Sequence, residues 1–360
     1  MGKPRCEKSG IDRSREQRYH LPYVNFLGGC EQRSADPVMS KVSVIIPNYN
    51  YARYLGQRLS SVLGQTFTDI EVLYLDDASS DNSAEVLATF LPDPRLRTFS
   101  NTTNSGSTFV QWNRGLGHCT GEYVWIAEAD DYADPRLLAT LVDRLDRHRE
   151  IGVAYCQSWN VDEEGRLLGS NLSYTDGLDP ERWKQDYIAN GNDECCRALI
   201  YMNTIPNASA ALFRRQVCQR IGGADPRFRL SGDWLMWLRI VLASGVAYVA
   251  EPLNYYRSHP RSVRSATARN GLWIEEMARI IASLYPRLNM SPEQRARLAE
   301  HFWRIWTRAC APREIPLRRH WKIYRAARTF APGIGLRVLR GMMRRVGRAP
   351  RDVWRLAFSS

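Results

Sequence analysis

The chain has 360 residues, of which 44% are hydrophobic and 24% charged, a balance typical of a globular protein with a buried core. It contains no uninterrupted apolar run of about 18 residues. The first 30 residues hold no apolar h-region, so the sequence predicts neither a membrane-spanning helix nor a secretory signal and favours a cytoplasmic protein. The eight cysteines form no C-x-x-C pair, which argues against a zinc site and indicates reduced thiols.

The net charge of +12 is concentrated at the C-terminal end of the chain. Between Arg313 and Arg355, twelve arginines and one lysine stand against two acids, so this stretch carries +11 and the remainder is nearly neutral. At the other end, residues 1–40 combine many charges with Pro and Gly and show no sustained period, which predicts a poorly ordered segment. Met39, directly before the first strong strand, is a candidate translation start.

From residue 42 onward, short apolar runs alternate with stretches of helical periodicity. Strands are predicted at 42–46, 70–75, 97–100, 123–127 and 153–157, the first two as buried strands, and helices at 54–63, 83–90, 108–116 and 135–149. Alternation at this spacing predicts an α/β protein with a doubly wound, mostly parallel sheet. In such sheets ligands bind beyond the carboxyl ends of the strands.

Polar clusters follow three of the predicted strands, at residues 47–50, 76–81 and 128–131. A single acidic turn after a strand is typical of a helix cap or an Asx turn. Helix caps and turns do not account for three such clusters at one edge of a sheet, because like charges brought together repel and need a compensating cation. Hard oxygen ligands suit Mg²⁺ or Mn²⁺, and these cations commonly bridge phosphates, so this edge is a candidate metal and phosphate site.

Eight segments, in this order, resemble the motifs of a known family. They are VSVIIPNYN (42–50), DDASSDNS (76–83), NSGS (104–107), GEYVWIAEADDY (121–132), NASAALFRR (207–215), GG (222–223), SGDWLMWLR (231–239) and YYRSHPRS (255–262). Over residues 40–265 the sequence is similar to the inverting GT-A glycosyltransferases of family 2. The resemblance implies a GT-A domain at 41–265 that moves a sugar from a UDP- or dTDP-sugar in bacterial surface polysaccharide or glycan assembly.

The same resemblance implies a donor-binding role for residues that follow the first two strands. Pro47, Tyr49 and Asn50 would bind the donor, with the Tyr49 ring packed against the nucleotide base. Asp77 would accept a hydrogen bond from the base, as the second acid of this motif does in the family.

Glu128, Ala129 and Asp130 occupy the D-x-D-type motif and are predicted to bind the donor. The predicted ligands of Mg²⁺ or Mn²⁺ are Asp130, Asp131 and His259. Glu128 stands where Asp is commoner, and its side chain is one methylene longer. Whether Glu128 or Asp131 contacts the ribose, the sugar or the metal is therefore left open. His259 could bind metal or diphosphate as a neutral imidazole, or could be a surface or capping residue.

Asp233 is the predicted general base. An inverting transfer needs a carboxylate opposite the leaving group, which takes the proton from the acceptor hydroxyl. The family often has an acidic pair here, whereas this chain has Gly232 before Asp233. The alternative is that Asp233 only caps the helix predicted at 234–242.

The acceptor is predicted to be a glycan or a lipid-linked sugar. Residues 192–207 are expected to form part of the acceptor wall, with Asn203 and Asn207 as candidates for contact. Trp183 and Tyr201 are candidates for stacking on sugar rings, although burial in the core is the commoner explanation for aromatic side chains.

Residues 266–360 form the predicted helical, basic C-terminal extension, in which arginines are interleaved with Trp, Tyr, Leu and Val. Arginines on one face and aromatic residues on the other suit a helix at an anionic membrane surface, so the predicted location is the inner face of the cytoplasmic membrane. The alternatives are a solvated helix packed on the body and a nucleic-acid-binding segment. No recognised nucleic-acid motif occurs, so no nucleic-acid partner is expected.

The leading prediction is a metal-dependent inverting glycosyltransferase. One alternative is a nucleotidyltransferase, which would carry a Gly-rich basic phosphate loop after the first strand, where this chain reads PNYNYARYL. The other is a non-catalytic basic adaptor for a membrane or nucleic acid. The intact set of Asp77, Asp130, Asp131 and Asp233 argues against the adaptor.

Overall fold

Residues 40–259, 271–309, 315–333 and 335 are described by the computed structural model. The segment predicted to be poorly ordered, residues 1–40, lies outside these ranges except for Ser40. Residues 336–360 of the basic tail and the last three residues of the YYRSHPRS motif also lie outside them.

Ten strands of the described residues form one sheet. They are β1 (Val42–Asn48), β2 (Ile70–Asp76), β3 (Leu96–Ser100), β4 (Tyr123–Ile126), β5 (Tyr132–Ala133), β6 (Val153–Val161), β7 (Leu167–Ser170), β8 (Tyr187–Asn190), β9 (Ala211–Arg214) and β10 (Gly245–Arg257). Their order is β3-β2-β1-β4-β9-β6-β10-β5, with β7 beside β6 and β8 beside β10.

The predicted parallel arrangement is confirmed for most strands. β1 pairs in parallel with β2 and β4, and β2 pairs in parallel with β3. β9 enters antiparallel between β4 and β6, and β10 runs parallel to β6, so six strands share one direction. The carboxyl ends of β1, β2 and β4 meet at one edge, which brings the three predicted polar clusters together. The sequence patterns predict neither β9 nor β10.

Helices connect these strands and continue beyond the last one. They are α1 (Ala52–Leu63), α2 (Ser83–Ala88), α3 (Thr108–His118), α4 (Leu137–Arg147), α5 (Gly191–Glu194), α6 (Arg215–Ile221), α7 (Gly232–Ala243), α8 (Leu272–Leu284), α9 (Pro292–Ala309) and α10 (Leu317–Ala327). The four helices predicted before residue 150 correspond to α1–α4, with ends that differ by a few residues.

Two apolar cores lie on opposite faces of the sheet, and β1 shows how the sequence divides between them. Val44 and Ile46 pack in the core that includes α1 and α4, whereas Ile45 packs in the other core, with α3 and α7. Successive side chains of a strand point to opposite faces, so an uninterrupted apolar run indicates a strand covered on both sides.

The described part of the C-terminal extension is helical and packs on the body. Ile274 of α8, Phe302 of α9 and Ile323 of α10 are buried in the same core as α3 and α7. None of the helices in the described ranges combines the length and the apolar character that crossing a bilayer requires.

Helix α3 approaches β1 and β2 closely at Gly115. A Cβ atom built on Gly115 would lie 2.7 Å from Ile45 Cγ2 and 2.9 Å from Leu75 Cδ1. Gly117 of the same helix has nothing within 4 Å of such an atom. The two glycines therefore separate the effect of close packing from the low helix propensity that they share.

We expect Gly115→Ala to lower the free energy of unfolding by about 1–3 kcal/mol, because the added methyl group overpacks the core. Gly117→Ala is the matched control and should raise the free energy of unfolding by about 0.5–1 kcal/mol, because Ala favours the helix. Urea denaturation followed by circular dichroism measures both changes. Equal stability of the two variants would contradict the close approach of α3 to the sheet.

Candidate active site

A cleft of about 750 Å³ opens at the sheet edge where β1, β2 and β4 end. The predicted site residues that line it are Pro47, Tyr49, Asn50, Asp77, Glu128, Asp130, Asp131 and Asp233. Two other predicted site residues are buried and do not line the cleft. Ala129 packs in the apolar core, and His259 contacts Asp130. The donor contact of Ala129 stays a prediction.

The turn after β1 is fixed to the turn after β2 through Asn50. Its backbone has a positive φ of 59°, which Asn tolerates better than most residues. Asn50 Oδ1 accepts hydrogen bonds from the N–H groups of Ser80, at 2.7 Å, and Asp81, at 3.3 Å. The Asn50 N–H donates to Ser79 Oγ at 3.0 Å. The adjacent ring of Tyr49 is thereby held as an exposed wall of the cleft.

Asp77 is buried, and its carboxylate accepts four hydrogen bonds. Oδ1 accepts from Asn101 Nδ2 at 2.6 Å, from the Ser105 N–H at 2.9 Å and from Gln111 Nε2 at 2.7 Å. Oδ2 accepts from Ser105 Oγ at 2.7 Å. The carboxylate therefore holds the loop between β3 and α3 against the end of β2. Its contact with a nucleotide base stays a prediction.

Glu128, the departure from the commoner motif, is fixed on α3. Its Oε1 accepts a hydrogen bond from Trp112 Nε1 at 2.8 Å. Burial, and secondly the negative charge of Asp130, raise the pKa of Glu128 to about 8. The bond from Trp112 thus fixes the orientation of the Glu128 carboxyl group, and its contact with the donor stays a prediction.

Asp130 and His259 form the pair best suited to hold a divalent cation. Asp130 Oδ2 lies 3.0 Å from His259 Nε2, and the imidazole lies 5.5 Å from the ring centroids of both Tyr51 and Tyr54. Within the described ranges, no group of three or more His, Cys, Asp or Glu side chains could hold a metal ion. A cation here would take its other ligands from diphosphate and water, as Mg²⁺ commonly does in phosphate-binding sites.

Asp131 connects the acidic turn to β10. Its side chain is 2% exposed. Oδ2 accepts a hydrogen bond from Asn207 Nδ2, and Oδ1 accepts one from the N–H of Arg257, both at 2.9 Å. The role of Asp131 as a metal ligand stays a prediction.

Arg58 of α1 lies beneath the acidic turn with 0% of its surface exposed. Its Nε donates to the Glu128 carbonyl at 2.8 Å, and its Nη2 donates to Ser209 Oγ at 3.1 Å. Nη2 also lies 4.0 Å from Asp131 Oδ2. Burial lowers the pKa of Arg58 to about 10, so the guanidinium stays charged at neutral pH.

Arg257, the last residue of β10, binds the same turn. Its Nε donates to the Asp130 carbonyl at 2.7 Å, and its Nη2 donates to Gln57 Oε1 at 2.6 Å. The guanidinium lies 4.7 Å from the ring centroid of Tyr54. Neither arginine is predicted from the sequence patterns. Arg58 carried a usable signal, because it lies on the apolar face of α1, where a charged residue is rare unless it is paired.

Asp233 lies in the first turn of α7 and lines the cleft. The helix begins at Gly232 with Ser231 at the N-cap position, which contradicts the alternative that Asp233 is the cap. Asp233 Oδ2 accepts a hydrogen bond from Asn203 Nδ2 at 3.0 Å. A Cβ atom on Gly232 would lie 2.7 Å from the Phe109 ring, so this contact explains why no second acid precedes Asp233.

The predicted acceptor wall at 192–207 is largely core. Trp183 and Tyr201 are buried in the core, which confirms the commoner explanation for aromatic side chains. From this segment, Pro206 and Asn207 line the cleft. Most of the segment therefore lies in the core and two of its residues reach the cleft, while a contact with the acceptor stays a prediction.

We expect Arg58→Ala to lower the free energy of unfolding by about 3–5 kcal/mol, because it leaves a buried carboxylate without its cation. Arg53→Ala is the matched control in the same helix. Arg53 is exposed and pairs with Glu163 and Glu164, so its removal should leave the stability near that of the wild type. Guanidinium denaturation compares the variants. Equal midpoints would contradict a stabilising role of Arg58.

The comparisons with known proteins agree with this geometry. The sequence model of the family described as glycosyl transferase family 2 matches residues 43–221. An uncharacterized glycosyltransferase of Nostoc sp. is 30% identical over 223 residues, which are 61% of this chain and 65% of that protein. The chain thus spans just under two thirds of the length of this relative.

Two solved structures share the fold. Staphylococcus aureus TarS 1–349 in complex with UDP-GlcNAc matches with a TM-score of 0.58 and 20% identity, over 72% of this chain and 71% of that chain. The mannosyltransferase PcManGT from Pyrobaculum calidifontis, in complex with GDP-Man and Mn²⁺, matches with a TM-score of 0.52 and 17% identity, over 90% and 85% of the two chains. This chain belongs to glycosyl transferase family 2 and has the GT-A fold.

Proposed function

We propose that this protein is an inverting glycosyltransferase that moves a sugar from a nucleoside diphosphate donor to an acceptor hydroxyl. One observation carries the proposal: Asp130, backed by His259, and Asp233 line the same cleft. Membership of the family supports it. Two proteins of the same fold were solved with a nucleotide sugar, UDP-GlcNAc in TarS and GDP-Man in PcManGT, which supports a donor of this class.

In this proposal the turns after β1 and β2 bind the donor, a UDP- or dTDP-sugar. Tyr49 offers an exposed ring for the base, and Asn50 and Asp77 keep the surrounding loops in position. Asp130 and His259 would hold Mg²⁺ or Mn²⁺, which neutralises the charge that develops on the leaving diphosphate. PcManGT, solved with Mn²⁺, supports a cation of this kind.

Asp233 is the general base of the proposed reaction. The acceptor oxygen forms a bond to the anomeric carbon while the bond from that carbon to the diphosphate breaks, and the hydroxyl proton passes to Asp233. Attack from the face opposite the leaving group inverts the configuration. The hydrogen bond from Asn203 Nδ2 to Oδ2 orients the carboxylate. We propose a glycan or a lipid-linked acceptor in polysaccharide assembly.

Asp233→Asn should lower turnover by about 10²–10⁴-fold, because the amide cannot take the proton. Turnover is measured as consumption of a nucleotide sugar, across a panel of UDP-, dTDP- and GDP-sugars with MnCl₂. Calorimetric binding of the corresponding nucleoside diphosphate should stay unchanged, because Asp233 acts on the acceptor side.

Asp143→Asn is the matched control, since Asp143 lies on α4 and pairs with Arg147 at the surface. It should leave both turnover and nucleotide binding at wild-type values. Turnover by Asp233→Asn at the wild-type rate would exclude this residue as the base. A wild-type protein that binds no nucleoside diphosphate in the presence of Mn²⁺ would refute the proposed function itself.

We also propose that α10 binds the surface of an anionic membrane. Ile323 and Ala327 bury one face of α10 against the body. The outer face exposes Leu317, at 84%, and Trp321, at 60%. The helix carries five basic residues among its eleven if His320 is counted, and no acid. Exposed Trp and Leu among basic residues suit the interface of an anionic bilayer.

Vesicle co-sedimentation of the full chain tests this surface. The wild-type protein should sediment with vesicles of phosphatidylglycerol and phosphatidylcholine, and the double variant Leu317→Ser/Trp321→Ser should lose most of this binding. Leu167→Ser/Leu168→Ser is the matched control, because these two leucines of β7 are also exposed. Equal sedimentation of the two double variants would contradict the proposal.

A further inference from the structure

A buried carboxylate from the C-terminal extension holds one rim of the cleft. Glu276 of α8 is 1% exposed. Its Oε1 accepts a hydrogen bond from the N–H of Arg229 at 2.7 Å. Its Oε2 accepts from the N–H groups of Leu230, at 3.0 Å, and Ser231, at 2.8 Å. Three consecutive backbone donors therefore converge on one carboxylate.

The three residues that donate to Glu276 lie directly before α7, and all three line the cleft. Ser231 occupies the N-cap position of α7, and Asp233 follows in the first turn. The path of this segment therefore sets where α7 begins and where the Asp233 carboxylate lies. A shift of the segment would move the proposed base relative to the donor side of the cleft.

The burial of Glu276 is accounted for by this segment. An isolated carboxylate is costly to bury unless hydrogen bonds compensate it. Bonds from N–H groups to a carboxylate are shorter and stronger than bonds between neutral groups, and the donors here supply three of them. Both partners of this contact, the segment before α7 and helix α8, lie beyond residue 221, where the match to the family model ends.

We infer that Glu276 is a positioning residue for the transfer reaction. Its carboxylate fixes residues 229–231, which form the rim of the cleft on the proposed acceptor side, and thereby fixes the position of Asp233. The inference rests on the proposed function and assigns part of the acceptor side to the C-terminal extension. Arg229 belongs to the fixed segment, and it is the single basic residue among the described residues that line the cleft. The segment thus also sets the position of the cleft's cationic rim.

The neighbouring residue provides a matched control. Glu275 is also buried on α8, but its carboxylate pairs with Arg319 Nε at 2.9 Å and with Lys322 Nζ at 3.3 Å, both on α10. Glu275 and Glu276 therefore share residue type, helix and burial, and differ in their partners. A loss caused by any buried glutamate of α8 should appear in both variants, whereas a positioning effect should appear in one.

The test compares Glu276→Gln with Glu275→Gln in the full chain. The glutamine keeps one acceptor oxygen but turns an NH₂ group toward N–H donors, so amide exchange of residues 229–231, read by mass spectrometry, should accelerate by about tenfold or more. Hydrolysis of the nucleotide sugar that the wild type consumes fastest should fall by roughly 10–100-fold, because a misplacement of about 1 Å can cost this much. Calorimetric binding of UDP with MnCl₂ should stay unchanged.

Glu275→Gln should change neither the exchange of residues 229–231 nor the hydrolysis rate. Glu276→Asp, which keeps the charge on a shorter side chain, should give intermediate values and covers the case in which Glu276→Gln does not fold. Wild-type exchange and turnover in the Glu276 variants, or equal losses in the Glu275 variant, would overturn the inference. Failure of the proposed function differs from both, because the wild-type protein itself would then bind no nucleotide.

Discussion

The site depends on the neutralisation of one acidic turn inside the protein. Glu128, Asp130 and Asp131 follow β4 within five residues, and buried charges are tolerated only where they are paired and hydrogen-bonded. Arg58 binds the Glu128 carbonyl, and Arg257 binds the Asp130 carbonyl. Because the arginines hold the backbone, the Asp130 side chain is free to face the cleft while Asp131 turns inward.

This arrangement makes the two halves of the cleft different in construction. The half that we propose for the donor is built from turns at the ends of parallel strands, and side-chain bonds such as those of Asn50 and Asp77 fix these turns to one another. The half that we propose for the acceptor includes the start of α7. The Glu276 carboxylate of α8 holds the segment before this helix through three backbone N–H groups. Bonds between turns thus support one half, and a carboxylate of the C-terminal extension supports the other.

The sequence predicted β1, β2 and β4 because each is buried on both faces and therefore forms a largely apolar run. It did not predict β9, whose short run Ala211–Arg214 enters the sheet between β4 and β6 through contacts distant in the chain. The spacing of the acidic motif does not tell which partners each carboxylate has, so the hydrogen bonds of Asp131 were not predicted. Its partners, Asn207 and Arg257, lie 76 and 126 residues away.

The C-terminal extension shows why charge alone does not define the role of a segment. Its composition indicated a basic, surface-binding helix, and α10 does expose Leu317 and Trp321. The same helix buries Ile323 in the core and is tied to α8 through Glu275, while Glu276 of α8 reaches the segment before α7. Helix α8 thus contacts both α10, which carries the membrane-facing surface that we propose, and the segment before α7 on the proposed acceptor side of the cleft. An acceptor carried on a membrane would meet the enzyme through elements that are packed together.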